Sequence, residues 1–380
     1  MMYTLGKFSR GRWMRRTLAA VAGVLLATAA HADVVIGQVA PFSGPQAVTG
    51  RAIHAGAKLY FDAVNARGGI KGQRIRFVTR DDAQKPEETV RLVKEMLAQE
   101  QPVALIGSVG TSNLEALARD GVLEKSRVSM LGAVSGAASV AQARGLHAVK
   151  ASYHDEIARL FSQLSQLGIK RVGLVHQDDG LGQDVLSGAD KAAKQYGVQL
   201  VARAGYPRNT TEVAKAVGEM VKAQPQVIFL GATTAAAIQF VKQYGEAGGS
   251  ATMYGLSIID TEALLKTLGP TRSRGYAFSV VLPLAHNTDR EVVREYLRLR
   301  SASSDPDLSA RSIEGFIAAK ALVRILERAP RLTAEAVTAA VEASADIDVG
   351  GFRLDFTQPQ RTASRYVDFA MIGGEGKIVQ

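Results

Sequence analysis

Hydrophobic and polar residues follow a regular order along the chain from about residue 34 onward. Short apolar runs, typical of buried strands, are separated by stretches in which apolar residues return every three or four positions, as in amphipathic helices. Ile53, Ala57, Phe61 and Val64 form one such helical face, and Gly68 follows it as a helix stop. The pattern predicts four strands of a parallel sheet in this half, at residues 34–39, 75–79, 103–106 and 128–131.

The same order restarts after about residue 153. It predicts strands at 172–175, 200–204 and 227–230 and helices at 184–196, 211–223 and 235–247. Two long helices are then expected at 290–300 and 312–328, as additions that complete the first half, and antiparallel edge strands are expected at 351–356 and 366–372. Strands that alternate with helices favour parallel sheets covered on both faces. The predicted fold class is therefore α/β, with two doubly wound parallel-sheet lobes.

The first 32 residues have a different pattern, which predicts a cleaved secretory signal peptide. Five basic residues and no acidic residue precede an apolar run at 17–30, and Ala30-His31-Ala32 supplies a small-x-small cleavage site. A membrane anchor is the alternative, but the run is shorter than the roughly 20 apolar residues that a spanning helix needs. We expect export to the periplasm and a mature chain that begins at Asp33.

Charge and composition limit the kinds of molecule that the protein can bind. The whole chain carries a formal charge of +10, and removal of the five basic residues of the leader leaves +5. No concentrated basic stripe is present, so nucleic-acid binding is disfavoured, while a mild positive field favours an anionic ligand. The chain has no cysteine, which excludes disulfides, thiolate chemistry and a lipid-modified cysteine. Its length indicates two domains.

No motif indicates catalysis, a cofactor or a metal ion. The six histidines never stand three or four positions apart, which is the spacing of a helical metal site. Residues 132–136, Gly-Ala-Val-Ser-Gly, have the wrong spacing for a G-x-S-x-G nucleophile elbow. Phosphate-binding and dinucleotide-binding loops are also missing. We therefore expect a binding protein and not an enzyme.

Several stretches, in their order and spacing, carry a resemblance to a known family. They are IGQVAPFSGP at 36–45, DAVNARGGIKG at 62–72, the Asp81-Asp82 pair with Pro86 after it, and residues 103–112, 172–182, 229–255 and 314–322. Together they resemble the leucine/isoleucine/valine-binding proteins of branched-chain amino-acid ABC transporters, over essentially the whole mature chain. The resemblance implies the type I periplasmic binding fold, in which a three-crossover hinge joins the two lobes and the lobes close on the ligand.

The resemblance also implies a layout and a partner. Crossovers are expected near residues 151–154, 280–284 and 350–358, with residues 33–152 plus 283–356 as the first lobe and 153–282 plus 357–380 as the second. The expected protein is a monomer that takes a small carboxylate-bearing molecule, either an amine-free acid or an amino acid, to an ABC permease of the inner membrane. A periplasmic sensory protein that signals ligand presence is the alternative.

On the first lobe, the resemblance implies a clamp for the ligand carboxylate in two strand-end loops. Thr111 and Ser112 follow the strand at 103–106, and Ala133, Val134 and Ser135 follow the strand at 128–131. A carboxylate that leaves water needs several donors, and charge-assisted bonds from hydroxyl and N–H groups are the strong ones. Helix capping remains the alternative role for Thr111 and Ser112, and a turn remains the alternative for Ser135.

On the second lobe, this sequence departs from the family. Relatives that bind amino acids place a glutamate after a strand to hold the ligand ammonium, and the matching position here is Ser257. Asp260 stands three residues further on and is the candidate substitute. A buried ammonium without a counter-charge is costly, so an acid without an amine becomes at least as good a candidate. Four further residues are expected to line the ligand: Thr49, Tyr153, Leu181 and Thr233.

Overall fold

The computed structural model describes residues 1–3 and 33–380. The predicted signal peptide therefore lies almost wholly outside the described residues. The helices are α1 Ala47–Ala66, α2 Pro86–Glu100, α3 Thr111–Asp120, α4 Val122–Ser126, α5 Ala138–Ala141, α6 Tyr153–Gln166, α7 Gly180–Tyr196, α8 Ala214–Ala223, α9 Thr234–Glu246, α10 Thr261–Ser273, α11 Glu291–Ser301, α12 Ser312–Arg328 and α13 Ala334–Glu342. The strands are β1 Val34–Ala40, β2 Ile75–Asp81, β3 Ala104–Ile106, β4 Met130–Leu131, β5 Leu146–His147, β6 Arg171–Asp178, β7 Gln199–Pro207, β8 Val227–Gly231, β9 Thr252–Gly255, β10 Ala277–Val280, β11 Ile347–Asp348, β12 Arg353–Leu354, β13 Asp368–Ile372 and β14 Ile378–Val379.

Two separate sheets define two lobes, which confirms the predicted fold class. The first lobe is built on a five-stranded sheet of order β2-β1-β3-β4-β5, in which all neighbours are parallel. The second lobe is built on a seven-stranded sheet of order β14-β13-β10-β9-β8-β6-β7. Its strands β6 to β10 pair in parallel, while β13 and β14 are antiparallel.

Some predicted elements are wrong in detail. The first sheet has a fifth strand, β5, which two residues are too few to reveal as a pattern. The expected edge strand at 366–372 is β13, but it lies inside the second sheet because β14 pairs with its outer side. The expected strand at 351–356 shrinks to β12, which pairs only with β11 in a small separate sheet.

The chain passes between the lobes three times. It leaves the first sheet after β5, returns after β10 to form α11 and α12, and enters the second sheet again at β13. These passages fall in or near the stretches expected for crossovers, although the lobe boundaries themselves stay a prediction. Among the described residues, no helix is both long enough and apolar enough to cross a membrane.

Helix α12 is buried inside the first lobe. Most of its side chains are buried, and it packs against α1. Glycines make that approach possible: a Cβ on Gly56 would lie 1.8 Å from the Ser312 carbonyl oxygen, and one on Gly315 would lie 2.0 Å from the Ile53 carbonyl oxygen. Because backbone meets backbone here, the N-terminus of α12 and the preceding Arg311 are held in place.

Candidate ligand-binding cleft

A cavity lies between the two lobes, at the carboxyl ends of the parallel strands. Its volume of about 50 Å³ suffices for a few water molecules. This position, where helix N-termini supply free N–H groups, is where doubly wound α/β folds bind ligands. The cleft cavity is lined by Gln46, Thr49, Gln84, Val109, Gly110, Thr111, Val134, Tyr153, Gln177, Asp179, Leu181, Asn209, Thr233, Thr234, Ile258 and Arg311.

A larger cavity of about 560 Å³ lies nearby, between α10, α12 and the chain that leaves β10. Most of its lining is aliphatic, from residues such as Ile259, Leu282 and Ile313. The smaller cavity is the candidate ligand site because the strand ends of both sheets converge there, and a ligand larger than a few water molecules requires the lobes to move apart. We call the larger one the hinge cavity, and Arg311 borders both.

On the first-lobe wall, the loops that follow β3 and β4 are joined to each other. Thr111 Oγ1 and Ser135 Oγ lie 2.9 Å apart and share a hydrogen bond. Gly110, with φ +106°, occupies the N-cap position of α3, so Thr111 is the first helical residue. Helix capping by Thr111, the alternative role, is therefore wrong. Thr111 lines the cleft cavity, and its hydroxyl is bonded to that of Ser135 and makes no capping bond.

The ten predicted ligand residues divide into two groups. The structure brings six of them to the cleft cavity: Thr49, Thr111, Val134, Tyr153, Leu181 and Thr233. The other four are Ser112, Ala133, Ser135 and Ser257, which lie outside its lining. The Ser135 N–H donates to the Ala133 carbonyl at 3.0 Å, so these two clamp groups already bond each other. A direct ligand role for all ten residues stays a prediction.

On the second-lobe wall, the carboxylate of Asp179 lines the cleft cavity and is fully engaged. It caps α7 by accepting from the N–H groups of Leu181 and Gly182 at 3.0 and 3.3 Å. It also accepts from Gln177 Nε2 at 2.8 Å and lies 3.3 Å from Arg208 Nε. Asp179 therefore has structural partners for its negative charge.

Ser257, at the position of the family glutamate, is held by a different acid. Glu156 of α6 accepts from the Ser257 N–H and hydroxyl, both at 2.9 Å, and from the Ser279 hydroxyl. Asp260 caps α10 by accepting from the Ala263 N–H at 3.0 Å, and it borders the hinge cavity instead of the cleft cavity. Asp260 does not take the place of the missing glutamate.

Arg311 is the cation that the sequence analysis missed. Its Nη1 donates to the Ser257 carbonyl at 3.1 Å and lies 2.8 Å from Glu314 Oε2. Its Nε and Nη2 are buried and have no hydrogen-bond partner. The available signal was weak: a single arginine directly before the apolar run at 312–328. Nothing in that pattern indicates that the start of this helix reaches the cleft.

Close to Arg311, the ionisable side chains of Lys150, Glu156 and Glu314 form a buried cluster. Lys150 Nζ lies 3.0 Å from Glu314 Oε1, and Lys150, Glu156 and Glu314 are each at most 2% exposed. Burial alone would raise the pKa of Glu314, but the charges of Arg311 and Lys150 outweigh it and hold that pKa below its usual value. Burial raises the pKa of Glu156, against its hydrogen bonds from Ser279 and Ser257. The two glutamates therefore differ in their tendency to lose a proton.

Contacts between the lobes close the cleft. Arg208 of the second lobe donates to the Gln84 carbonyl at 2.8 Å and to Asn113 Oδ1 at 3.1 Å, both in the first lobe. The Ala138 N–H donates to Asp184 Oδ1 across the same gap at 2.9 Å. Together with the contact from Arg311 to Ser257, these bonds hold the two lobes against each other around the cavity.

Two α/β lobes joined by three passages of the chain, with a cavity between them, are typical of solute-binding proteins that close on a ligand. The chain belongs to the periplasmic binding protein family, whose family model matches residues 33–377. This membership confirms the resemblance on which the sequence analysis relied, and members of the family act as substrate-binding proteins.

Relatives extend along nearly the whole chain. Leu/Ile/Val-binding protein homolog 7 of Brucella melitensis is 25% identical, and the match covers 94% of each chain. A substrate-binding periplasmic protein from Ralstonia solanacearum has 43% sequence identity and a TM-score of 0.88, over 92% of this chain and 100% of that one. An ABC-transporter solute-binding protein from Rhodopseudomonas palustris, solved in complex with benzoate, has 19% identity and a TM-score of 0.77, over 91% of this chain and 95% of that one.

Proposed function

We propose that this protein is the periplasmic solute-binding component of an ABC transporter, and that it captures a small carboxylic acid without an amine. The observation that carries the proposal is the charge of the cleft lining. Among the described residues of that lining, Asp179 is the one acid and Arg311 is the one base. Asp179 has cationic and N–H partners, while two donors of Arg311 have none.

This charge pattern disfavours an ammonium and favours a carboxylate. An ammonium buried without a free counter-charge loses its hydration and gains little in return. A carboxylate instead meets the hydroxyl of Thr111, free N–H groups at the start of α3, and a guanidinium. The Rhodopseudomonas palustris protein, which is similar in fold and was solved with benzoate, adds support for acids of this kind.

An α-amino acid is the second candidate, because relatives such as the Brucella protein carry the name Leu/Ile/Val-binding. The position that would hold the amine separates the two candidates. Ser257 is neutral, and the acid that reaches it, Glu156, is buried under it and has a raised pKa. An amino acid would have to draw its counter-charge from that buried glutamate.

A thermal-shift screen of residues 33–380 tests the proposal. The panel pairs acids with matched compounds: benzoate with benzamide, 4-methyl-2-oxopentanoate with leucine, and octanoate with octanamide. A ligand that binds only the folded state raises the melting temperature, and we expect the amine-free acids alone to do so. Stabilisation by leucine but not by 4-methyl-2-oxopentanoate would show that the cleft is a site for amino acids.

A further inference from the structure

We infer that the ligand carboxylate binds side-on to Arg311, through the edge of the guanidinium that carries Nε and Nη2. This inference rests on the proposed function and adds to it the residue that selects the ligand's charge. Arg311 stands at the junction of three features: the cleft cavity, the start of α12 and the second-lobe backbone at Ser257.

The bonds that Arg311 already makes leave one edge of its guanidinium for a ligand. Nη1 is used by Glu314 and by the Ser257 carbonyl. Nε and Nη2 share the opposite edge, and neither has a partner in the protein. Two parallel N–H donors on one edge match the two oxygens of a carboxylate, which is the geometry of a bidentate arginine bond.

The burial of Arg311 makes that edge costly to leave empty. The residue is 9% exposed, and a buried donor without a partner loses the free energy of its hydration. Native structures contain few such donors, and those that remain often serve a function. A carboxylate in the cleft would satisfy both donors at once, which a neutral amide or an alcohol cannot do equally well.

The surroundings hold Arg311 in one position. The close contact of α1 with α12 at Gly56 and Gly315 fixes the backbone that carries it. The guanidinium is also held by its ion pair with Glu314, in which Nη1 lies 2.8 Å from Oε2. Because few rotamers remain, little conformational entropy is lost when the ligand binds.

The contact with Ser257 links the ligand-binding edge of the Arg311 guanidinium to closure of the two lobes. Arg311 directly precedes the first-lobe helix α12, but its Nη1 donates to a second-lobe carbonyl. Orientation of the guanidinium toward the ligand and closure of the second lobe therefore use the same side chain. An acid bound to Nε and Nη2 stabilises the arginine in the position that the closed form needs.

Arg311→Lys is the variant that tests this edge. Lysine keeps the positive charge beside Glu314 but has no planar pair of donors. The matched control is Arg300→Lys, because Arg300 lies in the lining of the hinge cavity and not of the cleft cavity, and it pairs with Glu262. Calorimetric titration with benzoate, 4-methyl-2-oxopentanoate and octanoate should give about thirtyfold weaker binding or worse for Arg311→Lys, and unchanged binding for Arg300→Lys.

The outcomes separate this inference from the proposed function. Equal affinity of wild type and Arg311→Lys for an acid would overturn the role of Arg311 and leave the proposed function standing. Binding of leucine that Arg311→Lys abolishes would support the carboxylate contact and refute the amine-free ligand. A wild type that binds none of the acids on the panel would overturn both.

A measurement on the wild-type protein guards against a variant that fails to fold. The arginine Nε–H resonances of ¹⁵N-labelled protein can be recorded with and without saturating benzoate or octanoate. One resonance is expected to shift more with the acid than with the matched amide, because only the acid offers two charged oxygens to the paired donors. A spectrum that saturating acid leaves unchanged would overturn the inference.

Discussion

The two walls of the cleft reach polarity by different means. On the first-lobe wall, Thr111 of the loop after β3 lines the cavity, and its hydroxyl bonds at 2.9 Å to Ser135 of the loop after β4, which lies outside the lining. At the junction with the second lobe, the polarity comes from the charge of Arg311, which a buried cluster of charged residues supports. Hydrogen-bonded neutral groups lose little free energy when they are buried. A buried charge needs a counter-charge even in the ligand-free protein.

This difference indicates which properties each wall controls. Substitution of the hydroxyl residues Thr111 or Ser135 should affect ligand binding while the protein still folds. Changes in the charged cluster should affect folding as well, since Lys150, Glu314 and Arg311 are removed from water in the folded protein. The predictions below test this division, from the largest expected effect to the smallest.

Glu314→Gln should give the largest effect, on stability. The substitution leaves Arg311 and Lys150 without their common counter-ion, and loss of one partner from a buried ion pair costs about 3–5 kcal/mol. Denaturant unfolding of ligand-free protein measures the free energy of unfolding. The control is Glu335→Gln, whose partner Arg127 is 69% exposed, and its expected cost is below about 1 kcal/mol. Equal losses in both variants would contradict the division between the walls.

Ser135→Ala should weaken acid binding about tenfold and cost less stability than Glu314→Gln, about 1–3 kcal/mol for the buried bonds that it removes. Its hydroxyl bonds Thr111 and accepts from the Ala137 N–H at 3.2 Å, so its loss leaves the clamp loops less well ordered. Loss of one such bond costs about 1–1.5 kcal/mol, which corresponds to roughly a factor of ten. Calorimetric titration with the tightest acid of the panel measures it. Ser126→Ala, which removes a hydroxyl bonded within α4 far from the cleft, should leave the affinity unchanged.

The loops after β3 and β4, which carry Thr111 and Ser135, could be predicted from the sequence. The charged cluster around Arg311 could not. Thr111 and Ser135 each follow a short apolar run, and parallel strands carry such loops to one edge of a sheet. The two lobes were predictable for the same reason, since each strand and helix has its own local pattern. Strands of two residues, β4 and β5, are near the limit of that approach.

Arg311 reaches the cleft through contacts between distant segments. Its position depends on the approach of α12 to α1, which lie more than two hundred residues apart in the chain. The pairing of Glu156 with Ser257 depends in the same way on how α6 meets the end of β9. Local patterns carry no information on such tertiary contacts, so the identity of the charged group could only come from the structure.

Opposite pH dependences should distinguish the two buried glutamates. The pKa of Glu156 is raised, so between the usual pKa of glutamate and this higher value the folded protein binds more protons than the unfolded chain. Its contribution to stability therefore falls as the pH rises, by at most about 1.4 kcal/mol per pH unit. The pKa of Glu314 is lowered, so its contribution is present above the usual pKa and is lost as the pH falls through the lowered value.

Unfolding of wild type, Glu156→Gln and Glu314→Gln from about pH 2 to about pH 8 measures these slopes, since the Glu314 effect falls below the usual pKa of glutamate. The difference in stability between wild type and Glu156→Gln should shift in favour of the variant as the pH rises. The difference between wild type and Glu314→Gln should favour wild type more strongly at the upper end than at the lower. Parallel curves for all three proteins would show that neither glutamate titrates differently in the folded state.

Arg208→Gln should give the smallest effect, because it removes only partly exposed contacts: the bonds between the lobes and the pair with Asp179, which keeps its N–H and Gln177 partners. Arg208 joins the second lobe to the Gln84 carbonyl and to Asn113 of the first lobe. Its loss should speed ligand dissociation a few-fold, since a partly exposed bond between lobes contributes below about 1 kcal/mol. Stopped-flow displacement of the tightest acid measures the rate. Arg203→Gln removes an exposed pair within the second lobe and should leave that rate unchanged. If both variants release ligand at the wild-type rate, the bonds of Arg208 contribute nothing to closure, and the remaining contacts, from Ala138 to Asp184 and from Arg311 to Ser257, hold the lobes together.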